Sequence, residues 1–466
     1  MKEKRNSFSG SIGFVLAAAG SAVGLGNIWR FPYLAAKNGG GLFLIVYLVL
    51  AVTFGYTLLI TEVSIGRLTK QSPLTAYSKL RNTKLWRGFG VLACLVPFLI
   101  LPYYSAIGGW VFKYAFAFAV NEGVNTAGKE YFGNFISHPY YPMLFGVVFL
   151  LGTSFVIYRG VNKGIESISK ILMPILLLMI IGIAIYSLTI EGESGKTGMD
   201  GLKVYLIPNL KGMTVGKFMG IVADATGQLF YSISVAMGIM IAYGSYLKDK
   251  DNLVKSVNRI EIFDTLVAFL AGVMIIPAIV AFMGEKGLQA HGPGLMFIAL
   301  PKVFVKMGSI GQLLGLLFFV MVLFAALTSS VSILEAVVSS LMDRFGWTRK
   351  KAVIVETIIA LLAGGAVCLG YNKWYFEAHL PTTAKGGSAQ ILDILDYVSN
   401  YVLMPIVAIG TCILVGWILK TKVIEDEATK NGEKFGRKYM YRAMIKYIAP
   451  VLLAILLLVA LGFQFG

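Results

Sequence analysis

Residues 20–32 read GSAVGLGNIWRFP, which places three glycines, an amide, an arginine and a proline inside an otherwise apolar stretch. A helix broken there leaves backbone N–H and C=O groups in hydrocarbon, a cost of several kcal/mol unless they line a protected cavity. Freed carbonyls can ligate a cation, and a half-helix N-terminus can hold an anionic group. A second interruption, GQLFYSISVAMG at 227–238, again puts small and hydroxyl residues in the middle of an apolar run. Pro102-Tyr103-Tyr104 and the hydroxyl cluster Thr328, Ser329 and Ser330 lie in two further apolar runs. Beside a broken helix, such hydroxyls form a hard-oxygen cage for a small cation. Taken singly, each feature is also what close helix packing or hydroxyls bonding back to their own turn would leave.

The elements that position these groups are membrane spans. Of 466 residues, 57% are hydrophobic and 14% charged, against about 25% charged in a soluble domain. Apolar runs of about 20 residues occur near 11–37, 41–66, 88–120, 142–158, 166–189, 214–246, 257–284, 308–342, 351–371, 389–419 and 441–464, eleven expected spans. The first follows Met1–Arg5 directly and reads as a span, not a cleavable leader. The net charge of +17 resides in short loops, so it speaks for membrane orientation and not for nucleic acid. The 67–87 loop holds Arg67, Lys70, Lys79, Arg81, Lys84 and Arg87 and no acid, which predicts a cytoplasmic N-terminus and an extracytoplasmic C-terminus. His138, His291 and His379 fall in the outer loops as solvated residues. Cys94, Cys368 and Cys412 have no ligand-like spacing and read as packing thiols.

Breaks in spans one and six, five spans apart, predict an all-α membrane protein with a five-plus-five inverted repeat and a midplane site. The expected units are residues 1–189, 190–419 and 420–466, the last a cytoplasmic loop with the eleventh span. Asp264 lies within span seven, where a carboxylate is functional by default. Glu62 and Glu335 are also within spans, while Arg30, Asp393 and Asp396 sit near span ends.

The segments GSAVGLGNIWRFP, NGGG at 38–41, GQLFYS at 227–232 and ALTSS at 326–330 resemble the neurotransmitter:sodium symporter family, in its bacterial amino-acid branch. The resemblance spans nearly the whole chain and implies a sodium-coupled carrier, not an enzyme, with two sodium sites and no organic cofactor. It implies a first sodium held by the Ala22 and Ser232 carbonyls, the Ser232 hydroxyl, Asn27 and Asp264, completed by the substrate carboxylate. The second would rest on carbonyls of Gly20, Val23 and Ala325 and hydroxyls of Thr328 and Ser329. A substrate carboxylate would meet the Leu25 and Gly26 N–H groups and the Tyr104 phenol, and its amine the carbonyls around Ala22 and Ser234. The side-chain pocket would be Ser21, Ile100, Tyr231, Met237, Ser330 and Ile333.

Gly24 stands where amine carriers of that family place an aspartate, which implies a zwitterionic substrate. The apolar pocket implies a neutral, hydrophobic or aromatic amino acid. Ala236 replaces a frequent glycine in the span-six break, which implies a smaller pocket and leaves substrate size open. Ala268 stands at the serine that chloride-dependent members offer the anion, and Asp264 replaces an asparagine, so chloride-independent transport is expected. The implied outer gate is Arg30 and Asp396 with Gln228, under a lid of Tyr104 and Tyr231. The inner gate is Arg5 and Asp343 with Ser245 and Tyr246. The Gly164-to-Pro174 spacing implies unwinding at the start of span five.

An ion channel would need a symmetric filter, and an enzyme a reactive constellation within the spans; neither pattern is visible. A sensor built on the same scaffold, or a carrier of another small zwitterion, is the alternative reading.

Overall fold

The computed structural model describes residues 7–128, 130–289, 293–381 and 388–463; Arg5 and His291 lie outside them. Among the described residues the chain is helical, with only isolated β-bridges. Among the described residues nine helices are long and apolar enough to cross a membrane, ten when a bent pair is counted as one span. That pair is α1 (Ser11–Ala22) and α2 (Gly26–Lys37), bent by 52°. The nine are α3 (Gly41–Thr69), α4 (Lys84–Ala119), α5 (Tyr141–Tyr158), α6 (Val161–Leu188), α9 (Leu253–Met283), α10 (Ser309–Phe345), α11 (Arg349–Leu369), α12 (Ile391–Ile418) and α13 (Lys438–Ala460). The expected sixth span is divided into α7 (Val215–Ser232) and α8 (Ile239–Ser245). By length and hydropathy it does not count with the others, because the first turns of α7 carry exposed and charged residues such as Lys217.

Both breaks have a backbone cause. At the first, Val23 takes an extended ψ of 91°, which ends α1 after the small residues Gly20–Ala22. At the second, Ser234, Ala236 and Gly238 have φ of +55°, +60° and +70°, so the chain turns left-handed three times within five residues. Glycine alone adopts that region without penalty; Ala236 holds it because its N–H donates to the buried Glu62 carboxylate at 2.6 Å. The Gly164–Pro174 stretch is helical here, opening with a wide turn over Val161–Glu166.

Hydroxyl pairs join the helices where lipid offers no partner. Thr153 donates to Ser330 at 3.1 Å, Thr357 to Ser154 at 2.7 Å, and Tyr243 pairs with Ser332 at 2.7 Å. Glycines let backbones touch: a Cβ on Gly66 of α3 would lie 2.0 Å from the Ile241 carbonyl of α8, and one on Gly244 2.4 Å from the Val63 carbonyl. Helices α3 and α8 therefore pack as one unit.

Candidate functional site

The two breaks face each other. Ser21, in the last turn of α1, donates its hydroxyl to Ser234 Oγ at 3.1 Å, and Ser234 donates to the Ser21 carbonyl at 3.0 Å. Gln228 of α7 donates to the Gly26 carbonyl at 3.1 Å, fixing the start of α2. Between them lies a cavity of about 30 Å³ lined by Ser21, Ala22, Gly24, Leu25, Gly26, Asn27, Ile100, Tyr104, Tyr231, Ser232, Ser234, Met237, Ile239, Ser329 and Ile333. That is room for a water or two, so anything larger must displace the flexible Met237 and the tyrosine rings. Ser330 is not on this wall, since its hydroxyl meets Thr153 on the other side of α10. Ile239 and Ser329 are on it, and sequence reasoning did not place them among the substrate contacts.

Asp264 gathers the polar groups at one end. Its Oδ1 accepts from Asn27 Nδ2 and from Ser232 Oγ, each at 2.8 Å. Its Oδ2 is buried without a partner. The Tyr47 hydroxyl lies near Asp264 and Ser232 but closes a hydrogen bond to neither. A buried carboxylate oxygen left bare is costly unless a cation meets it, so the donor set fits a first monovalent ion. Tyr47 was not singled out from sequence, because a lone tyrosine in an aromatic-rich span carries no signal.

At the other end one hydroxyl faces three carbonyls. Ser329 Oγ lies 3.4 Å from the Gly20 oxygen, 3.1 Å from that of Ser21 and 3.4 Å from that of Val23. One hydrogen serves one acceptor, so oxygen lone pairs are in surplus here. Thr328 Oγ1 turns back on the Ala325 and Phe324 carbonyls at 3.1 and 3.0 Å. A Cβ on Gly20 would lie 3.2 Å from that of Thr328, which keeps α1 and α10 in contact. All-oxygen, carboxylate-free donors of this kind suit a small monovalent cation.

Glycine is required on the wall. A Cβ on Gly24 would lie 2.9 Å from Ser329 Oγ and 3.3 Å from the Tyr104 hydroxyl; one on Gly26 would lie 2.7 Å from the Tyr231 ring. The Tyr104 hydroxyl is near Ser329 and the Leu25 N–H yet bonded to neither. It is a buried donor aimed at the cavity.

Arg30 and Asp396 do not pair directly in this structure. Arg30 lies over the rings of Tyr231 and Tyr401 at 5.8 and 5.9 Å. Asp396 instead accepts from Asn400 at 2.5 Å and from Tyr103 at 3.2 Å. Thus Tyr103, which the sequence did not single out as a gate residue, is the tyrosine that meets Asp396. At the opposite end Phe8 is wedged edge-on against Phe14, Tyr243 and Tyr246. The Ser9 N–H donates to Glu166 at 2.8 Å, Lys170 pairs with Glu166 at 2.6 Å, and Lys248 donates to the Ser9 carbonyl at 3.0 Å. Asp343 accepts from the Ser72 N–H at 2.6 Å. Tyr246 donates to Glu335, which also forms a bidentate pair with Arg349 of α11. The Ser245 hydroxyl turns onto the Ala242 carbonyl at 2.5 Å.

The profile of the Sodium:neurotransmitter symporter family matches residues 5–130 and 142–464. An uncharacterised sodium-dependent transporter of Bacillus subtilis, YhdH, is 33% identical over 470 residues, 99% of each chain. The sodium- and chloride-dependent taurine transporter of Rattus norvegicus is 28% identical over 467 residues, 89% of this chain and 71% of its own. Among solved structures, MhsT in complex with L-phenylalanine superposes with a TM-score of 0.83 at 32% identity, covering 98% of this chain and all of that one.

Proposed function

The chain belongs to the Sodium:neurotransmitter symporter family, and we propose that it imports neutral, hydrophobic or aromatic L-amino acids with sodium by alternating access. It is a multi-pass, sodium-dependent transporter and not an enzyme. The observation that carries the finer reading is the meeting of two unwound segments, tied by Ser21 and Ser234, with oxygen clusters at both ends. The L-phenylalanine held by the similar MhsT supports the substrate class, as do Ile100, Met237, Ile239 and Ile333 on the wall.

In this mechanism Asn27, Ser232, Asp264 and the Ala22 carbonyl hold one sodium, and the substrate carboxylate joins them with the Leu25 and Gly26 N–H groups and the Tyr104 phenol. Gly20, Val23, Ala325, Thr328 and Ser329 hold the second. The Asp264 carboxylate supplies the compensating charge, so chloride is not needed. The N-terminus faces the cytoplasm, which makes the Phe8 wedge the inner closure and the Arg30–Tyr231–Tyr401 stack the outer one. Domains 1–189 and 190–419 are the two repeats.

Reconstituted vesicles test the reading. Sodium-driven accumulation of labelled phenylalanine, leucine or tryptophan is expected, and it persists when chloride is replaced by gluconate. Accumulation that needs no sodium gradient refutes the carrier mechanism, binding without accumulation marks a sensor, and collapse in gluconate refutes the role of Asp264.

A further inference from the structure

The inner loop between α12 and α13 is sewn to α3, to α9 and to the loop after α8, and its Glu425 pairs with Arg442 at 2.7 Å and Lys438 at 3.1 Å in the first turns of α13. Arg67, at the end of α3, has a fully buried side chain whose guanidinium donates to the Glu427 carboxylate at 2.5 Å, to the Glu427 carbonyl and to the Asp251 carbonyl at 2.8 Å. Lys430 pairs with Asp249 at 3.3 Å, and Asn431 donates to the Asp249 carbonyl at 2.8 Å. Arg437 Nη1 donates to both oxygens of Glu261 of α9 at 2.9 Å, and its guanidinium lies 4.1 Å over the Tyr56 ring of α3. Lys70, just past the end of α3, holds the loop after α8, meeting Asp249 at 2.8 Å and the Leu247 carbonyl at 2.6 Å. Among the described residues, no ion pair joins 420–437 to α4, α10 or α11.

The preceding helix is anchored on the other side. Thr411 of α12 pairs with Tyr77 at 2.7 Å, and Gly410 packs against Phe89 of α4 so closely that a Cβ would lie 1.9 Å from its ring. The chain crosses from one side to the other at Lys420, whose φ of +65° is a left-handed conformation that a non-glycine residue holds only under constraint. The cavity lies between the broken helices, which α3 and α9 carry, and α4 with α10. Access can alternate only if these two sets move against each other.

We propose that residues 421–437 form a strap that travels with α3, α8 and α9 when the site changes sides, with Lys420 as its pivot against α12. Arg67 is the positioning residue that seats the strap. The strap keeps the inner ends of α3 and α9 and the loop after α8 together as one body. This rests on the alternating-access reading above.

Three exposed lysines allow the test: Lys434 on the strap, Lys250 in the loop after α8, and Lys84 at the start of α4. Each is replaced by cysteine in pairs, in full-length protein with Cys94, Cys368 and Cys412 substituted, then spin-labelled in lipid nanodiscs. Distances are measured without sodium and with sodium plus L-phenylalanine. The strap predicts that the 434–250 distance holds while 434–84 and 250–84 shift together by about 5 Å. A shift of 250–84 with 434–84 constant overturns the strap and leaves alternating access standing, as does a strap that shifts against both. No shift in any pair removes the alternating-access reading and the strap with it. For Arg67, the R67E variant broadens the 434–250 distribution and R67E combined with E427R narrows it again. Should R67E fail to fold, R67K, which keeps the charge but not the fork, is read the same way. A distribution as narrow as the parent's overturns the role of Arg67.

Discussion

Replacing Ser329 by alanine separates a sodium ligand from a packing hydroxyl. The Ser329 oxygen lies 3.1–3.4 Å from three main-chain carbonyls that its single hydrogen cannot all satisfy. If sodium is what those oxygens share, S329A removes one ligand and leaves the sodium-free form little changed. Loss of one buried polar partner costs about 1–3 kcal/mol, which is about 5- to 150-fold in sodium affinity. Sodium at 100 times its dissociation constant protects the fold by about 2.7 kcal/mol, and a tenfold weaker site retains roughly half of that. The assay is thermal unfolding across a sodium series, with choline chloride holding ionic strength constant. S329A is expected to keep the sodium-free midpoint and lose about half the sodium-induced rise. Ser332 is the control, because its hydroxyl is fully used between the Thr328 carbonyl at 2.9 Å and Tyr243 at 2.7 Å. S332A should lower the midpoint equally with and without sodium. If S329A behaves like S332A, the second ion site is not where Ser329 and the Gly20 and Val23 carbonyls meet.

Asp264→Asn keeps the shape but removes the charge beside Asn27 and Ser232, so sodium affinity should fall at least tenfold, or about 1.4 kcal/mol, and uptake should become responsive to chloride. Ala236→Gly relieves a left-handed alanine at φ +60°, and the thermal midpoint should hold or rise, the gain being at most about 1 kcal/mol. On the inner loop, hydrogen bonds from Arg442 hold Glu425 down to about 2 from the usual 4.5. Its pKa is lower in the folded state, so its contribution is present above about 4.5 and fades as pH falls toward 2. E425Q should flatten stability over that window, measured as the unfolding midpoint against pH, and leave it unchanged in slope near neutrality.

Much of the fold was legible because a bilayer leaves few options. Runs such as 41–66 and 441–464 have no polar partner in hydrocarbon and must close their backbone bonds within a helix. The sixth span was legible as a break but not as a standard crossing, since the first turns of α7 are exposed and carry the charge of Lys217. Within the site, the motif residues Ser21, Asn27, Ser232 and Ser329 come together, while Ser330 points to Thr153 instead. Hydroxyls at successive helical positions face directions about 100° apart, and sequence alone cannot say which one meets the cavity. The sequence offered Arg30 and Asp396 as an expected pair; that Arg30 rests on Tyr231 and Tyr401 while Asn400 and Tyr103 take Asp396 was not legible.

The sequence by itself determined where the helices run, where they must break and that hard oxygens cluster at the breaks. Those follow from local hydropathy, glycine and proline placement and hydroxyl spacing, each acting over a few turns. Only the tertiary structure decided that Ser21 meets Ser234 across 213 residues, that the Asp264 Oδ2 and Tyr47 hydroxyl are left without partners, and that the buried Arg67 guanidinium meets the Glu427 carboxylate. Such pairings depend on how helices rotate about their axes and cross, and that is set by the packing of the whole bundle, which no local stretch encodes.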